Sequence, residues 1–138
     1  SNEEVLTKLA KSNALILFND YSIMGTKIYD YIGIKRKIIF CFTNDQEAKL
    51  LKEKYFSIDE KNSPNNKMQS QLINSSDSGI LVTNKIHLKE VMYSLINEFN
   101  ERKKINCNSR NIDEFSREKL VNQLAKLIQQ IIKKEKVV

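Results

Sequence analysis

The fold is decided by three consecutive segments, Ala14-Leu-Ile-Leu-Phe18, Gly25-Thr-Lys-Ile-Tyr-Asp-Tyr31 and Lys37-Ile-Ile-Phe-Cys-Phe42. The first segment has strand length and is apolar on both faces, which is typical of a parallel strand that helices cover on both sides. The middle segment is a glycine turn that leads into a short helix, and the third is again strand-like. Parallel strands need such a crossover, since a hairpin loop cannot join them. The sequence therefore predicts a β–loop–α–β unit.

The segments outside this unit continue the alternation of helices and strands. Hydrophobic spacing predicts helices over 3–11 and 67–73, a strand over 79–83, and a helix that Asn84 caps. Gly33 is expected to end the helix that starts at Thr26, in the left-handed conformation. Ser116 caps a last helix, whose apolar stripe consists of Leu120, Val121, Leu124, Leu127, Ile128, Ile131 and Ile132. This order predicts an α/β protein with a Rossmann-like three-layer α/β/α arrangement and a short parallel sheet of about three to four strands.

Composition limits the class of protein. The chain has 138 residues, of which 41% are hydrophobic, and this is enough for the core of one domain. The leading Ser1-Asn2 is typical of a remnant of tag cleavage, so the domain is assigned to residues 3–138. Cys41 and Cys107 are predicted to be free thiols of a reducing cytoplasm. The net charge of +6 comes in part from lysines near the end of the chain, and no aromatic residues alternate with a basic face, so nucleic-acid binding is not expected.

The candidate site lies where the first predicted strand ends and the next helix begins. A glycine before a helix lets the backbone approach a ligand, and the N–H groups of the first turn bind anions. Gly25-Thr26-Lys27 is therefore a candidate phosphate site, although an exposed lysine after a turn glycine is an alternative interpretation. Asp30 lies on the same helix face and is a candidate for hydrogen bonds to ribose hydroxyls, with a local ion pair to Lys27 as the alternative. His87 has no cysteine or acid at metal-ligand spacing, so no metal site is predicted.

Four segments in this order resemble one enzyme family. Residues 21–31, followed by Lys35-Arg-Lys-Ile-Ile39, are similar to the glycine-lysine-(phenylalanine/isoleucine)-(tyrosine/phenylalanine)-(glutamate/aspartate)-tyrosine signature in the donor-binding half of GT-B glycosyltransferases of the family 4 type. Residues 12–18 resemble the family's preceding strand, and residues 78–82 resemble a later strand of the same domain. Phe115-Ser-Arg-Glu118 resembles the segment that opens the family's closing helix.

The resemblance implies a fold, a reaction and a set of roles. The chain would be the second half of a GT-B C-terminal domain, with helix 116–138 packed toward an N-terminal acceptor domain. The diphosphate of a UDP- or GDP-sugar would bind at Gly25, Thr26 and Lys27, and its ribose near Asp30. Tyr21 and Ser22 occupy the place of a sugar-contacting glutamate. Transfer would need no metal or other cofactor, and the catalytic residues stay unassigned.

The parent protein is accordingly expected to be a hexosyltransferase of polysaccharide or glycoconjugate assembly that acts on a glycan or lipid-linked acceptor. Residues 3–138 are expected to be inactive without the acceptor domain. The expected location is the cytoplasm, with the inner face of the membrane as an alternative for the full-length protein. A second interpretation is a non-catalytic Rossmann-like binding or regulatory module with an anion site. An apolar edge at strand 14–18 also predicts a homodimer through that edge, unless the N-terminal helix covers it.

Overall fold

The computed structural model of the chain describes residues 2–18, 26–43, 46, 47, 50, 54 and 67–135. Its strands are β1 (Ala14–Phe18), β2 (Lys37–Cys41) and β3 (Gly79–Val82). The helices with described bounds are α1 (Asn2–Ala10), α2 (Lys27–Ile34), α3 (Met68–Ser75), α4 (Lys85–Arg102) and α5 (Arg117–Glu135), with a 3-10 helix at Ile112–Phe115. The strands are parallel in the order β1-β2-β3. The prediction of an α/β protein with a short parallel sheet is thus confirmed. None of the described helices is long and apolar enough to cross a membrane.

The strand register divides the apolar side chains between two faces of the sheet. Leu15 pairs with Ile38, while the next residue along β1, Ile16, pairs with Ile39. Because successive side chains of a strand point to opposite faces, each strand contributes to two cores. The face that carries Leu15 is called face A, and the face that carries Ile16 is called face B.

Face A is covered by α2, α3 and the 3-10 helix. Its buried core consists of Ile28, Ile32, Ile38, Phe40, Leu72 and Ile73, with Ile112 and Phe115 of the 3-10 helix packed against it. Phe40 is the largest fully buried side chain of the described residues and lies on the central strand. Face A therefore supplies the main core of the domain.

Face B is covered by α4. The buried core on this side consists of Ile39, Cys41, Val82, Val91 and Leu95. Val91 and Leu95 of α4 thus pack on β2 and β3. Helices lie on both faces of the sheet, which is the three-layer arrangement expected from the alternation of elements.

The end of α2 differs from the prediction. Gly33 lies inside the helix and does not have a positive φ. The left-handed residue is Lys35, with φ 58° and ψ 42°, and its N–H donates to the carbonyl oxygen of Ile32. The adjacent Arg36 guanidinium donates to the carbonyl oxygen of Ala10 from Nε at 3.0 Å and from Nη2 at 2.6 Å. The contact of Arg36 with α1 fixes where the chain leaves α2. The left-handed position therefore falls on Lys35, although glycine is the residue usually preferred there.

The chain returns from face B to face A after α4. The backbone N–H of Arg110 donates to the carbonyl oxygen of Ser76 at 2.7 Å, and its guanidinium pairs with Asp77 at 3.0 Å. The Ser76 hydroxyl is buried and donates to Leu72 O at 2.7 Å. This connection brings the 3-10 helix onto face A, and α5 begins there.

Asn84 starts α4 as the sequence predicts. Its side-chain oxygen accepts hydrogen bonds from the N–H groups of Ile86 and His87, each at 3.0 Å. Asn84→Ala should therefore destabilise the domain by about 1 kcal/mol, since two helix N–H groups lose their acceptor. Thermal unfolding followed by circular dichroism measures this loss. Asn84→Asp keeps the acceptor and should unfold close to the parent, and an alanine variant as stable as the parent would show that the cap contributes nothing.

Candidate functional site

The candidate site is centred on the first turn of α2. This helix follows β1 and lies on face A, so its N-terminus belongs to the edge of the sheet where the parallel strands end. In open α/β sheets, ligands bind at this edge. Of the sequence-predicted site residues, Thr26, Lys27 and Asp30 are described by the structure, while Tyr21, Ser22 and Gly25 lie outside the described residues.

Thr26 occupies the N-cap position of α2. Its backbone is in the right-handed helical region, and its side chain makes no capping hydrogen bond. The N–H of Tyr29 donates to the backbone carbonyl oxygen of Thr26 at 3.1 Å. The hydroxyl of an N-cap threonine usually accepts a hydrogen bond from a backbone N–H group of the first turn. Thr26 therefore keeps an exposed hydroxyl at the helix start.

Lys27 and Asp30 are exposed side chains of the first turn of α2. They form no ion pair with each other among the described residues, where the ion pairs join Lys85 to Glu47 and Arg110 to Asp77. The local Lys27–Asp30 pair, the alternative interpretation of Asp30, is thus not formed. Both charged groups face solvent at the helix end that favours anions.

Tyr29 and Tyr31 both make packing contacts. The ring of Tyr29 lies 6.2 Å from that of Phe115 between centroids, with the planes tilted by 49°. Tyr31 packs against the core of face A. The first of these contacts connects the side of α2 to the 3-10 helix, so Tyr29 is held next to the candidate site without forming part of it.

The other two strands bring hydroxyl groups to the same edge. Both the N–H and the hydroxyl of Thr43, after β2, donate to Val82 O, at 2.9 and 3.4 Å. After β3, the N–H of Thr83 donates to Nδ1 of His87 at 3.3 Å, and the Thr83 hydroxyl lies 3.2 Å from the same nitrogen. His87 is therefore held by the turn between β3 and α4.

An aromatic pair at this edge was not identified as a feature of the site from the sequence. The rings of Phe18 and Phe42, which lie at the ends of β1 and β2, meet edge to face at 6.5 Å between centroids. Phe18 is 66% exposed although it belongs to a strand. The available signal was an aromatic residue at the last position of each apolar segment. The pair extends the carboxyl edge on face B, whereas α2 lies on face A.

Both cysteines of the described residues are free thiols. Burial raises the pKa of the Cys41 thiol, which therefore stays protonated inside the face B core. Cys107 is half-buried, and its sulfur lies 2.9 Å from the hydroxyl of Ser109. Over the described ranges, no three His, Cys, Asp or Glu side chains are close enough together to hold a metal ion.

Comparisons with known proteins do not assign this chain to a family. No protein-family model, no curated protein and no solved structure matches this chain. The geometry of the α2 first turn is therefore the basis for any functional conclusion.

Proposed function

We propose that this chain is the nucleotide-sugar-binding C-terminal part of a GT-B glycosyltransferase of the family 4 type. The parent enzyme transfers a hexosyl group from a UDP- or GDP-sugar to a glycan or lipid-linked acceptor. An N-terminal domain supplies the acceptor site, so residues 3–138 by themselves bind the donor and catalyse no transfer. The order of the four family-like segments and the α/β fold support this proposal.

The observation that carries the proposal is the first turn of α2. An exposed threonine, an exposed lysine and an exposed aspartate follow the end of a parallel strand within one helical turn, and no ion pair joins the lysine to the aspartate. A diphosphate at this position would accept hydrogen bonds from helix N–H groups and from the Thr26 hydroxyl. The positive charge of Lys27 would compensate the negative charge of the phosphates. In this proposal Gly25 completes the diphosphate site.

Asp30 and the leaving group have separate roles in the proposal. The Asp30 carboxylate can accept hydrogen bonds from the two ribose hydroxyls, one turn away from the phosphates. The departing nucleoside diphosphate gains negative charge during transfer, and the helix N-terminus and Lys27 stabilise that charge without a metal. Tyr21 and Ser22 are proposed to contact the transferred sugar.

The test is calorimetric titration of UDP and GDP into this chain and its variants. Lys27→Ala and Asp30→Ala should each weaken binding of the preferred nucleotide by about tenfold to a hundredfold, since each removes a hydrogen bond with a charged partner. Raising the salt concentration should reduce the loss of affinity caused by Lys27→Ala, because salt screens the attraction between the lysine and the phosphates. The loss of affinity caused by Asp30→Ala should change less.

Matched controls separate a site from a general effect of charge. Lys35→Ala removes the same charge from the opposite end of α2, and Asp113→Ala removes an exposed acid outside the site. Both should titrate like the parent. If Lys27→Ala and Asp30→Ala also bind like the parent, or if Lys35→Ala weakens binding as much as Lys27→Ala does, the diphosphate is bound elsewhere.

A non-catalytic Rossmann-like module with an anion site is the second candidate function. The exposed Thr26 hydroxyl and Lys27 favour it equally, because inorganic phosphate needs the same groups. Such a module would not distinguish a nucleotide from a simple anion. Inorganic pyrophosphate that binds as tightly as UDP and GDP, with no effect of Asp30→Ala, would favour this function over the glycosyltransferase.

A further inference from the structure

We infer that the amino edge of the sheet is a basic surface that binds the anionic headgroups of a lipid membrane. This edge lies at the opposite end of the strands from the candidate site. It carries two runs of three consecutive cations, Lys35-Arg-Lys37 and Arg102-Lys-Lys104, which are called the basic segments. The inference is independent of nucleotide binding.

The fold brings both basic segments to the same edge. Lys37 is the first residue of β2, and Arg102 is the last residue of α4, which starts after β3 and packs back along face B. A single carbonyl oxygen connects the two places. Ser78 O accepts a hydrogen bond from the N–H of Ile38 at 2.9 Å, and the Cys107 thiol donates to the same oxygen at 3.8 Å. The basic segments therefore lie on one side of the molecule.

The basic segments hold the excess charge of the chain. Lysine and arginine total 23, and aspartate and glutamate total 17, so the sequence outside the six cations has seventeen of each sign. The lysines near the end of the chain are thus matched in number by acids elsewhere. Within the part of the chain that the structure describes, the ion pairs join Lys85 to Glu47 and Arg110 to Asp77, and no member of a basic segment takes part. The net positive charge is therefore located at the amino edge.

Compensation of helix dipoles does not explain the identity of these residues. Cations near a helix C-terminus are favourable, and both α2 and α4 end at this edge. However, each helix places a lysine at the left-handed position itself, with φ 58° at Lys35 and 56° at Lys103. Glycine adopts this conformation at a lower cost, and neighbouring cations would still complement the dipole. The two lysines keep a charge where the backbone favours glycine, which indicates that the charge is used.

The make-up of the surface favours a membrane over other anionic partners. Protein interfaces have an apolar core, and single-stranded nucleic acids stack on aromatic side chains. Neither basic segment contains an apolar or aromatic residue, and the adjacent Ile34 and Ile105 are half-buried. A layer of anionic headgroups needs only several exposed cations at one surface, each of which raises the affinity about fivefold. Lys35 and residues 102–104 are exposed, while Arg36 and Lys37 are half-buried.

A membrane at the amino edge leaves the candidate site open. The four or five residues of each strand separate the two edges by about 15 Å, at about 3.3 Å per residue. The proposed function places the donor at the carboxyl edge and the acceptor domain against α5, so neither of them covers the basic segments. Lipid and nucleotide should therefore bind at the same time.

Co-sedimentation with lipid vesicles tests the inference. At physiological salt the parent should bind vesicles of equal parts phosphatidylcholine and phosphatidylserine, but not vesicles of phosphatidylcholine alone, and higher salt should release it. Lys103→Glu combined with Lys104→Glu should weaken this binding about 25-fold or more. Lys126→Glu combined with Lys133→Glu makes the same change of charge on α5 and should stay within about twofold of the parent.

Glycine variants separate binding from folding. Lys35→Gly and Lys103→Gly each remove one charge and relieve a left-handed backbone. Each should unfold at a temperature at least as high as the parent and still bind anionic vesicles about fivefold more weakly. Lys27→Ala, which weakens nucleotide binding in the proposed function, should bind the vesicles like the parent. The two proposals can therefore fail separately.

Other outcomes would overturn the inference. A parent that ignores anionic vesicles, or that binds neutral vesicles equally well, has no such surface. Loss of binding in the α5 control, with retention in the Lys103→Glu and Lys104→Glu double variant, would place the membrane contact on α5. Tighter binding to a DNA duplex than to the vesicles, lost in the same double variant, would assign the basic segments to nucleic acid.

Discussion

Gly79→Ala should destabilise the domain by about 3 kcal/mol, at the upper end of the range for overpacked sites. A Cβ atom at this position would overlap the carbonyl oxygen of Ile38 and lie 2.9 Å from the Ile38 Cβ atom. The overlap is with the backbone of the neighbouring strand, so a change of rotamer cannot relieve it. β2 and β3 would have to separate at the pair that Ile38 and Gly79 form, which costs ladder hydrogen bonds as well as core packing.

Gly33→Ala is the matched control for this prediction. No atom lies within 4 Å of a Cβ built on Gly33, which is exposed and inside α2. Alanine should therefore stabilise the domain by about 0.5–1 kcal/mol, since glycine is a poor residue for a helix interior. Chemical denaturation of both variants measures the difference. If Gly79→Ala unfolds at the parent midpoint, the close approach of the two strands does not exist.

Phe40→Ala should cost about 3–5 kcal/mol, the range for truncating a buried phenylalanine. Phe40 is 1% exposed and lies at the centre of the face A core, between α2 and α3. Because small domains are stable by only about 5–15 kcal/mol, this change should leave the protein partly unfolded at moderate temperature. Denaturation midpoints and the near-ultraviolet circular dichroism signal report the loss.

Phe18→Ala tests whether the effect comes from burial. Phe18 is 66% exposed and contacts the ring of Phe42 at the carboxyl edge. Its truncation removes an aromatic pair and little buried area, so the loss should stay below about 1.5 kcal/mol. Equal losses for Phe40→Ala and Phe18→Ala would mean that the two faces of the sheet are not packed as described.

Local signals in the sequence were sufficient for most of the elements. The strand segments and the Asn84 cap were predicted because each depends on neighbours within a few residues. Gly79 was not identified, since its role comes from the backbone of Ile38, a residue about forty positions away that the register brings opposite. The left-handed Lys35 was missed for the same reason, because the contact of Arg36 with α1 decides where α2 ends.

The candidate site was predictable in part. Thr26, Lys27 and Asp30 share the first turn of α2. The alternation of strands and helices in the sequence indicates that this turn follows a strand, where ligands bind in open α/β sheets. The exposed side chains at the carboxyl edge depend on packing, and so the Phe18–Phe42 pair needed the structure. The exposure of Ile16 and Phe18 on face B likewise depends on how the helices pack, which no local pattern specifies.

The attachment of α1 has a consequence for cooperativity. The Arg36 guanidinium, which lies near the surface, donates both of its described hydrogen bonds to the carbonyl oxygen of Ala10, and α1 also packs on α2. No residue of α1 belongs to either buried core cluster. The free energy that holds this helix is therefore smaller than the free energy of global unfolding. We therefore expect residues 2–10 to open locally, as one unit, while the sheet and its cores stay folded.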